Sequence, residues 1–365
     1  MTRAILAAVV ALASLVAGGA TVRADAALTA WQRSDAPIFE GQYFASDPTV
    51  VASADGGGYR MVYTCLTWLG DAFDPETARS AICEATSDDG LAWENVPAKG
   101  PFEGVVLRGR EGSWDQYLEA PFLLSWKGAD LLYASGYRHE GDPAQGFPAA
   151  LEVARSVDGG PFAWVSDEPT LAPTPGWYDA DAVYSPSIVV DHENDRLVMV
   201  YAGHCYGECD HRPGVTLLAA TSTDGMTWEK QPEPLLTAMP DELRWTRDGV
   251  AEPGLVEAPD GTWRLLFTAL IDDERAIGLA SSPGPLGPWT PEPEPVLLAD
   301  RDYGGEVQVL APHVLIEGDV ARMWYLSYSQ AEGEDYRVGY AEASLEVPGL
   351  RFRVPGRRRC EGRCP

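Results

Sequence analysis

The sequence predicts an all-β protein, a single five-bladed β-propeller of four-stranded antiparallel blades over residues 29–346, and three observations predict it. A head of the form x-Pro-x-apolar-apolar recurs five times. After each head come two strand-like runs, and four of the five units then close on a turn and a tryptophan. The piece missing from the fifth unit stands at the other end of the chain, so the N-terminal strand would complete the last blade and close the ring. Self-similarity at such a period marks a repeat architecture, and closure removes the exposed sheet edges that an open stack would leave. Two β-sandwich domains would not produce this five-fold register.

The heads are "SDPTVV" at Pro48, "EAPFLL" at Pro121, "SPSIVV" at Pro186, "AEPGLV" at Pro253 and "LAPHVL" at Pro312, spaced by 73, 65, 67 and 59 residues. Proline is tolerated at the first residue of a strand because its missing N–H lies outside the ladder, and it is expected to push the preceding residue toward extended geometry. Second strands follow in "YRMVYTC", "ADLLYASGY", "RLVMVYAG", "TWRLLFTAL" and "ARMWYLSYS", rich in aromatic and β-branched residues. Third strands follow in "AICEATS", "ALEVARS", "VTLLAATS", "AIGLASS" and "RVGYAEAS". The turns "SDDGLAW", "SVDGGPFAW", "STDGMTW" and "SSPGPLGPW" then lead to the tryptophan strand, which the N-terminal "TAWQRSDAPIFEG" supplies for the fifth unit.

Outside the repeat, residues 1–26 read as an export signal: Arg3, an apolar run from Ala4 to Ala17, and a small-residue cleavage site at Ala24-Asp25-Ala26. The run is short for a bilayer span, so the mature chain is expected to be secreted or periplasmic, with no membrane span. Residues 347–365 form a basic, cysteine-containing tail. With 27 Lys and Arg against 55 Asp and Glu the formal charge is −28, which disfavours nucleic acid and anionic membranes as partners. Six cysteines in an exported chain imply disulfides, with 15 pairings open. No zinc-type histidine pattern accompanies Cys205-x3-Cys209 or Cys360-x3-Cys364, and a single-chain monomer is expected.

The repeat also acts as an internal control on the candidate site. Immediately before the five prolines stand Asp47, Ala120, Ser185, Glu252 and Ala311, all expected at one funnel mouth. Alanine satisfies this position twice, so the fold does not require an acid there. Glu119 adds a third carboxylate, two before its proline. Carboxylates gathered in an apolar-walled funnel repel and lose solvation unless they bind or react with something. An aromatic precedes every head, at Tyr43, Trp114, Trp177, Trp245 and Tyr303, with Asp115, Asp179, Asp181 and Asp248 nearby. Flat rings beside carboxylates suit a sugar, whose C–H faces are apolar and whose rim is hydroxylated, so a carbohydrate partner is expected. The chemistry that paired carboxylates serve on a sugar is glycosidic cleavage, one protonating the leaving oxygen and the other activating water or attacking the anomeric carbon. A non-catalytic propeller that binds glycans or a protein through the same mouth is the alternative.

At these residues the chain resembles the five-bladed propeller glycoside hydrolases, the arabinanase and β-xylosidase family 43 and the invertase-like family 32. The resemblance implies that Asp47 in "SDPTVV" is the base or nucleophile. It assigns the general acid to Glu252 in "VAEPGLV", or to Glu119 in "YLEAPFLL", which keeps the family's spacing of two residues before proline. The family's third-blade aspartate is replaced here by Ser185, leaving Asp181 or Asp179 as neighbours. His313 in "LAPHVL" resembles a channel histidine found near a structural calcium ion; no other cofactor is implied. The "S-x-D-G-x-x-W" segments resemble the Asp-box of sialidases, one residue shorter. A sialidase would also need arginines for its substrate carboxylate, for which Arg138, Arg212, Arg247 and Arg301 are the candidates.

Overall fold

A computed structural model describes residues 28–345 apart from 54–55, 71, 98–100, 139–147, 208, 210–213, 240 and 331–334. The expected export signal and the basic tail, with Cys360 and Cys364, lie outside the described residues, as do His139, His211 and Arg212. The described chain is all-β, with one short 3-10 turn at Arg244–Thr246.

A two-residue strand, β1 (Gln32–Arg33), comes first, and the rest of the chain runs as meanders. One contains β2 (Ser46–Ala52), β3 (Tyr59–Thr67), β4 (Arg79–Ser87) and β5 (Glu94–Asn95), with β6 (Val105–Leu107) also on β4. The next contains β7 (Tyr117–Trp126), β8 (Ala129–Tyr137), β9 (Ala149–Ser156) and β10 (Ala163–Trp164). It is followed by β11 (Ala182–Asp191), β12 (Arg196–Cys205), β13 (Gly214–Ser222) and β14 (Glu229–Lys230). Then come β15 (Gly249–Glu257), β16 (Trp263–Ile271), β17 (Glu274–Ser282) and β18 (Thr290–Pro291). The last meander is β19 (Glu306–Glu317), β20 (Val320–Ser329) and β21 (Asp335–Ser344), and its outer strand is β1, with Gln32 opposite Glu342.

Each meander forms because its turns reverse cheaply and its second strand is apolar on both faces. The β7–β8 hairpin turns through Lys127 and Gly128 at φ 47° and 81°, the paired positive angles that match the twist of a two-residue hairpin. Every second strand buries at least one large ring completely: Tyr63, Tyr133, Tyr201, Phe267, and both Trp324 and Tyr325 on β20. The third strand makes room for two of them with glycine, since a Cβ at Gly339 would lie 2.4 Å from the Tyr325 ring and one at Gly278 2.5 Å from Phe267. The core therefore lies between the packed meanders rather than in one central layer.

The S-x-D-G segments are turns. Asp89 Oδ1 accepts from the N–H groups of Leu91 and Ala92 at 2.8 and 2.9 Å, and Asp224 Oδ1 accepts from Met226 and Thr227 at 2.7 and 2.8 Å. Such carboxylates stand in for backbone acceptors and leave the motif no call on a ligand. Of the disulfide pairings, the structure forms Cys65–Cys83 across β3 and β4, and Cys205–Cys209 at the end of β12.

The residue before each head proline departs from the extended geometry expected of it. Asp47, Ala120, Ser185, Glu252 and Ala311 all adopt the left-handed region, at φ 51°, 48°, 49°, 48° and 47°. Each sits in a β-bulge, where the register skips from Ser46 to Thr49, Glu119 to Phe122, Tyr184 to Ser187, Ala251 to Gly254 and Leu310 to His313. The preference imposed by proline is overruled because the bulge re-aims the head, and at three heads a hydroxyl from the preceding meander takes its N–H. Ala120 N donates to Thr64 Oγ1, Ser185 N to Ser135 Oγ and Ala311 N to Thr268 Oγ1, each at 3.0 Å.

A consequence is measurable. Ala311→Val is expected to cost about 2 kcal/mol, because a β-branched residue is poorly accommodated at positive φ, whereas Ala311→Gly should be neutral or stabilising by up to about 1 kcal/mol. Urea denaturation of the two variants checks this, and equal losses would contradict a left-handed head.

The first strands of the meanders are neighbours in turn: β2 with β7, β7 with β11, β11 with β15, β15 with β19 and β19 with β2. Side chains stitch them, with Thr49 Oγ1 donating to Pro121 O at 2.7 Å and Leu255 N donating to Ser187 Oγ at 3.0 Å. His313 Nε2 meets Val50 O at 2.7 Å.

Candidate active site

The five heads converge on a cavity of about 30 Å³ whose wall includes Asp47, Ser185, Glu252 and His313 together with the head prolines. That volume admits a water molecule and excludes a sugar ring, so any larger ligand would sit at the mouth above it.

Asp47 is half-buried at the start of β2. Its carboxylate accepts from Ser46 Oγ at 2.8 Å and Thr64 Oγ1 at 2.9 Å. Burial, and then the negative charge of Glu119, push its pKa up to about 6 against these stabilising hydrogen bonds. Glu252 is held the same way at the head of the fourth unit, accepting from Thr268 Oγ1 at 2.6 Å and from Ala311 N at 3.0 Å. Burial, and then the charge of Asp47, push its pKa up to about 7. Two carboxyl groups are thus raised to straddle the near-neutral range, and each feels the charge of another acid.

Glu119 differs. Tyr137 Oη donates to its Oε1 at 2.5 Å, and Tyr184 Oη donates to its Oε2. Both phenol pKa values are raised, by burial first and by Glu119 second, so the two tyrosines remain donors. Neither was found from the sequence. The repeat contained the signal for one of them, because Tyr184 occupies in "VYSP" the slot that Glu119 occupies in "LEAP", two before the proline.

Asp181 lies outside the cavity wall and orders the mouth instead. Its Oδ2 accepts from Tyr206 N at 2.5 Å and Gly207 N at 3.2 Å. This holds His204 and Tyr206 together, with Tyr206 Oη 3.1 Å from His204 Nδ1. Burial pushes the His204 pKa down to about 4 although Asp181 opposes it, so the imidazole is neutral near pH 7. Arg275, also missed in the sequence, is the positive charge that partly lowers the Glu252 pKa.

The remaining candidates divide by their partners. Asp115 and Asp179 are buried in ion pairs, with Arg110 Nε at 2.6 Å and Lys230 Nζ at 2.5 Å, and Asp248 pairs with Arg247 at 3.1 Å. Trp114 Nε1 donates to Asp167 O at 3.1 Å; Trp245 stacks on Phe267 and donates to Pro293 O at 2.9 Å. Trp177 lies under the Lys230 ammonium at 5.8 Å, and Tyr303 is buried with its hydroxyl on Ala36 O. These contacts tie the aromatics to their own meanders, whereas Tyr43 is 54 % exposed. Ser185 Oγ is buried with no hydrogen-bond partner among the described residues.

The calcium implied by His313 finds no matching donor set. Among the described residues no three His, Cys, Asp or Glu side chains are grouped to hold a metal ion, and His313 spends Nε2 on Val50 O. Calcium takes six to eight oxygen ligands, and the two carboxylates on this wall, Asp47 and Glu252, already accept from Ser46 and Thr64 and from Thr268 and Ala311.

Fold and site together define a propeller-like protein with carboxyl groups gathered at the centre of its strand heads. The family model for the N-terminal domain of glycosyl hydrolases family 32 matches residues 154–345, just over half of the chain. The chain belongs to that family. Three solved structures extend the likeness in fold. A thermostable family-43 glycoside hydrolase aligns at 17 % identity and TM-score 0.63, over 87 % of this chain and 95 % of its own. An endo-arabinase from Bacteroides thetaiotaomicron aligns at 18 % and 0.58, over 87 % and 99 %. A β-1,2-mannobiose phosphorylase from Listeria innocua aligns at 14 % and 0.64, over 86 % and 97 %. No curated protein sequence matches the chain. Among the described residues no helix is long and apolar enough to cross a membrane.

Proposed function

We propose that the protein is an exported glycoside hydrolase that cleaves glycosidic bonds of an oligo- or polysaccharide at the mouth of a closed five-bladed ring spanning residues 29–346. The observation that carries this reading is the pair Asp47 and Glu252, raised to about 6 and about 7 at equivalent strand heads. A surface accident would not raise two acids that the fold replaces with alanine at Ala120 and Ala311. The closed ring is supported by the sequence of neighbouring first strands and by β1 completing the sheet of β19–β21. Export agrees with the Cys65–Cys83 and Cys205–Cys209 disulfides.

In this mechanism Glu252 is the general acid. It passes its proton to the glycosidic oxygen as the bond from that oxygen to the anomeric carbon breaks. Asp47 supplies the electron pair, taking a proton from the attacking water or attacking the anomeric carbon itself. Glu119, pinned by hydrogen bonds from Tyr137 and Tyr184, raises the pKa of Asp47. His204 and Tyr206 offer neutral polar groups to sugar hydroxyls.

The test is hydrolysis of chromogenic arabinofuranosides, xylosides, fructosides and galactosides as a function of pH. The kcat/KM profile is expected to be bell-shaped, rising as Asp47 deprotonates near pH 6 and falling as Glu252 deprotonates near pH 7. A profile flat from pH 5 to 8 would contradict these roles.

A further inference from the structure

The rim of the first meander carries a cluster that the carboxylate site does not use. Tyr43, Leu69 and Phe73 are 54 %, 68 % and 57 % exposed, and they surround Trp68, which is itself buried. Trp68 lies 4.6 Å from Tyr43, 5.4 Å from Phe73 and 4.7 Å from the buried Phe102, ring centre to ring centre. Exposed apolar surface of this kind is solvated at a cost, and a contiguous group marks a contact site more often than a scattered one.

Its place follows from strand direction. Asp47 opens β2, and β3 runs back beside it with Thr64 opposite Ser46. Residues after Thr64 therefore rise past Asp47 on the side of the mouth, and the end of β3 at Thr67 is roughly 10 Å beyond that level. Trp68, Leu69 and Phe73 come next, while Tyr43 leads into Asp47 from the other direction. Tyr206, 45 % exposed, lies on the same side at the end of β12. Among the described residues, the exposed large aromatics are thus Tyr43, Phe73 and Tyr206, all on the carboxylate side.

The cluster is also held in place. Leu69 N donates to Thr77 Oγ1 at 3.2 Å; Thr77 Oγ1 and Glu76 N each donate to the Asp74 carboxylate at 3.0 Å. Below the loop, the Cys65–Cys83 disulfide joins the two strands that carry it. Rings fixed before a ligand arrives lose little entropy on binding.

We propose that Tyr43 and Phe73, backed by the buried Trp68 and edged by Leu69, form a second subsite that holds the distal part of a neutral glycan whose reactive bond lies over Asp47. This rests on the glycosidase reading above. Flat exposed rings match the C–H faces of sugars, and a chain of formal charge −28 repels polyanions. The distance from Asp47 separates the subsite from the reacting ring, so it recognises chain length rather than the bond cleaved.

The experiment compares the native protein with Phe73→Ala and Leu69→Ser on single-sugar chromogenic glycosides and on arabino-, xylo- and fructo-oligosaccharides of increasing length. The expected result is a KM about tenfold higher for the longer chains in Phe73→Ala, and a smaller rise in Leu69→Ser. Single-sugar kinetics and kcat should be unchanged. An identical KM for long chains in all three proteins overturns the subsite. Tryptophan fluorescence titration with the longest oligosaccharides separates this from the catalytic reading. Binding by a native protein that hydrolyses nothing, lost in Phe73→Ala, keeps the subsite and removes the hydrolase. No binding of any of these chains by the native protein removes the subsite.

Discussion

Asp47→Asn is expected to lower glycoside turnover by roughly 10³- to 10⁴-fold, the scale of losing a positioned general base or nucleophile. Asn keeps the size of the side chain and tolerates positive φ as well as Asp does, so the left-handed head at φ 51° should survive. The amide still accepts from Ser46 Oγ and Thr64 Oγ1 through its carbonyl, the bonds that hold Asp47 now. What it lacks is a basic electron pair near pH 7. KM for single-sugar substrates should change little while kcat collapses, the signature of an interaction made in the transition state. Initial rates on the best chromogenic substrate, with thermal melting as a control for folding, check this; a variant as active as the native protein removes Asp47 from the mechanism.

Glu252→Gln is expected to abolish most activity and yet stabilise the protein above pH 7. In the folded state Glu252 holds its proton up to about pH 7, and Asp47 to about pH 6, against ordinary values of 4.5 and 3.8. Between those limits the native protein binds more protons than the unfolded chain, so stability is greatest below about pH 4 as far as these groups are concerned. It is then lost as pH rises through about 7. Each group accounts for up to roughly 3 kcal/mol, less any screening at the open mouth. Glutamine carries no such penalty. The stability gain of Glu252→Gln should therefore be small at pH 4.5 and reach 1–3 kcal/mol at pH 8 by the same scale. Denaturant melts at the two pH values measure it, and a gain independent of pH would mean that Glu252 is not charged at cost in the native state.

Much of this was legible in the sequence because it repeats. Five proline heads, five aromatic second strands and a displaced tryptophan strand specify a local meander each time, and local periodicity is what sequence reports best. The repeat also exposed Asp47 and Glu252, since alanine in the same slot at Ala120 and Ala311 separates what the strand needs from what it does not. Tyr137 and Tyr184 were not legible. Their role exists only once Glu119 is placed between two meanders, a contact spanning 65 residues for Tyr184. The aromatics before the heads were visible as a set, but their partners were not: Trp114 and Trp245 turn their N–H groups onto carbonyls 53 and 48 residues away.

The sequence by itself determined the all-β meander, the strand order within each unit, the N-terminal strand on the last sheet and the slots that carry carboxylates. These follow from side-chain alternation, turn chemistry and an internal control, all short-range. Only the tertiary structure decided the left-handed backbone of the heads, against the preference that proline imposes. It also decided which acids are quenched by a cation and which are raised. Both depend on what neighbouring meanders bring: a Thr64, Ser135 or Thr268 hydroxyl for the bulged N–H, an Arg110 or Lys230 for Asp115 and Asp179, and for Asp47 and Glu252 another carboxylate in poor solvent. Such terms are set by burial and by charges distant in the chain, so the chemistry at "SDPTVV" becomes readable only when the other heads stand around it.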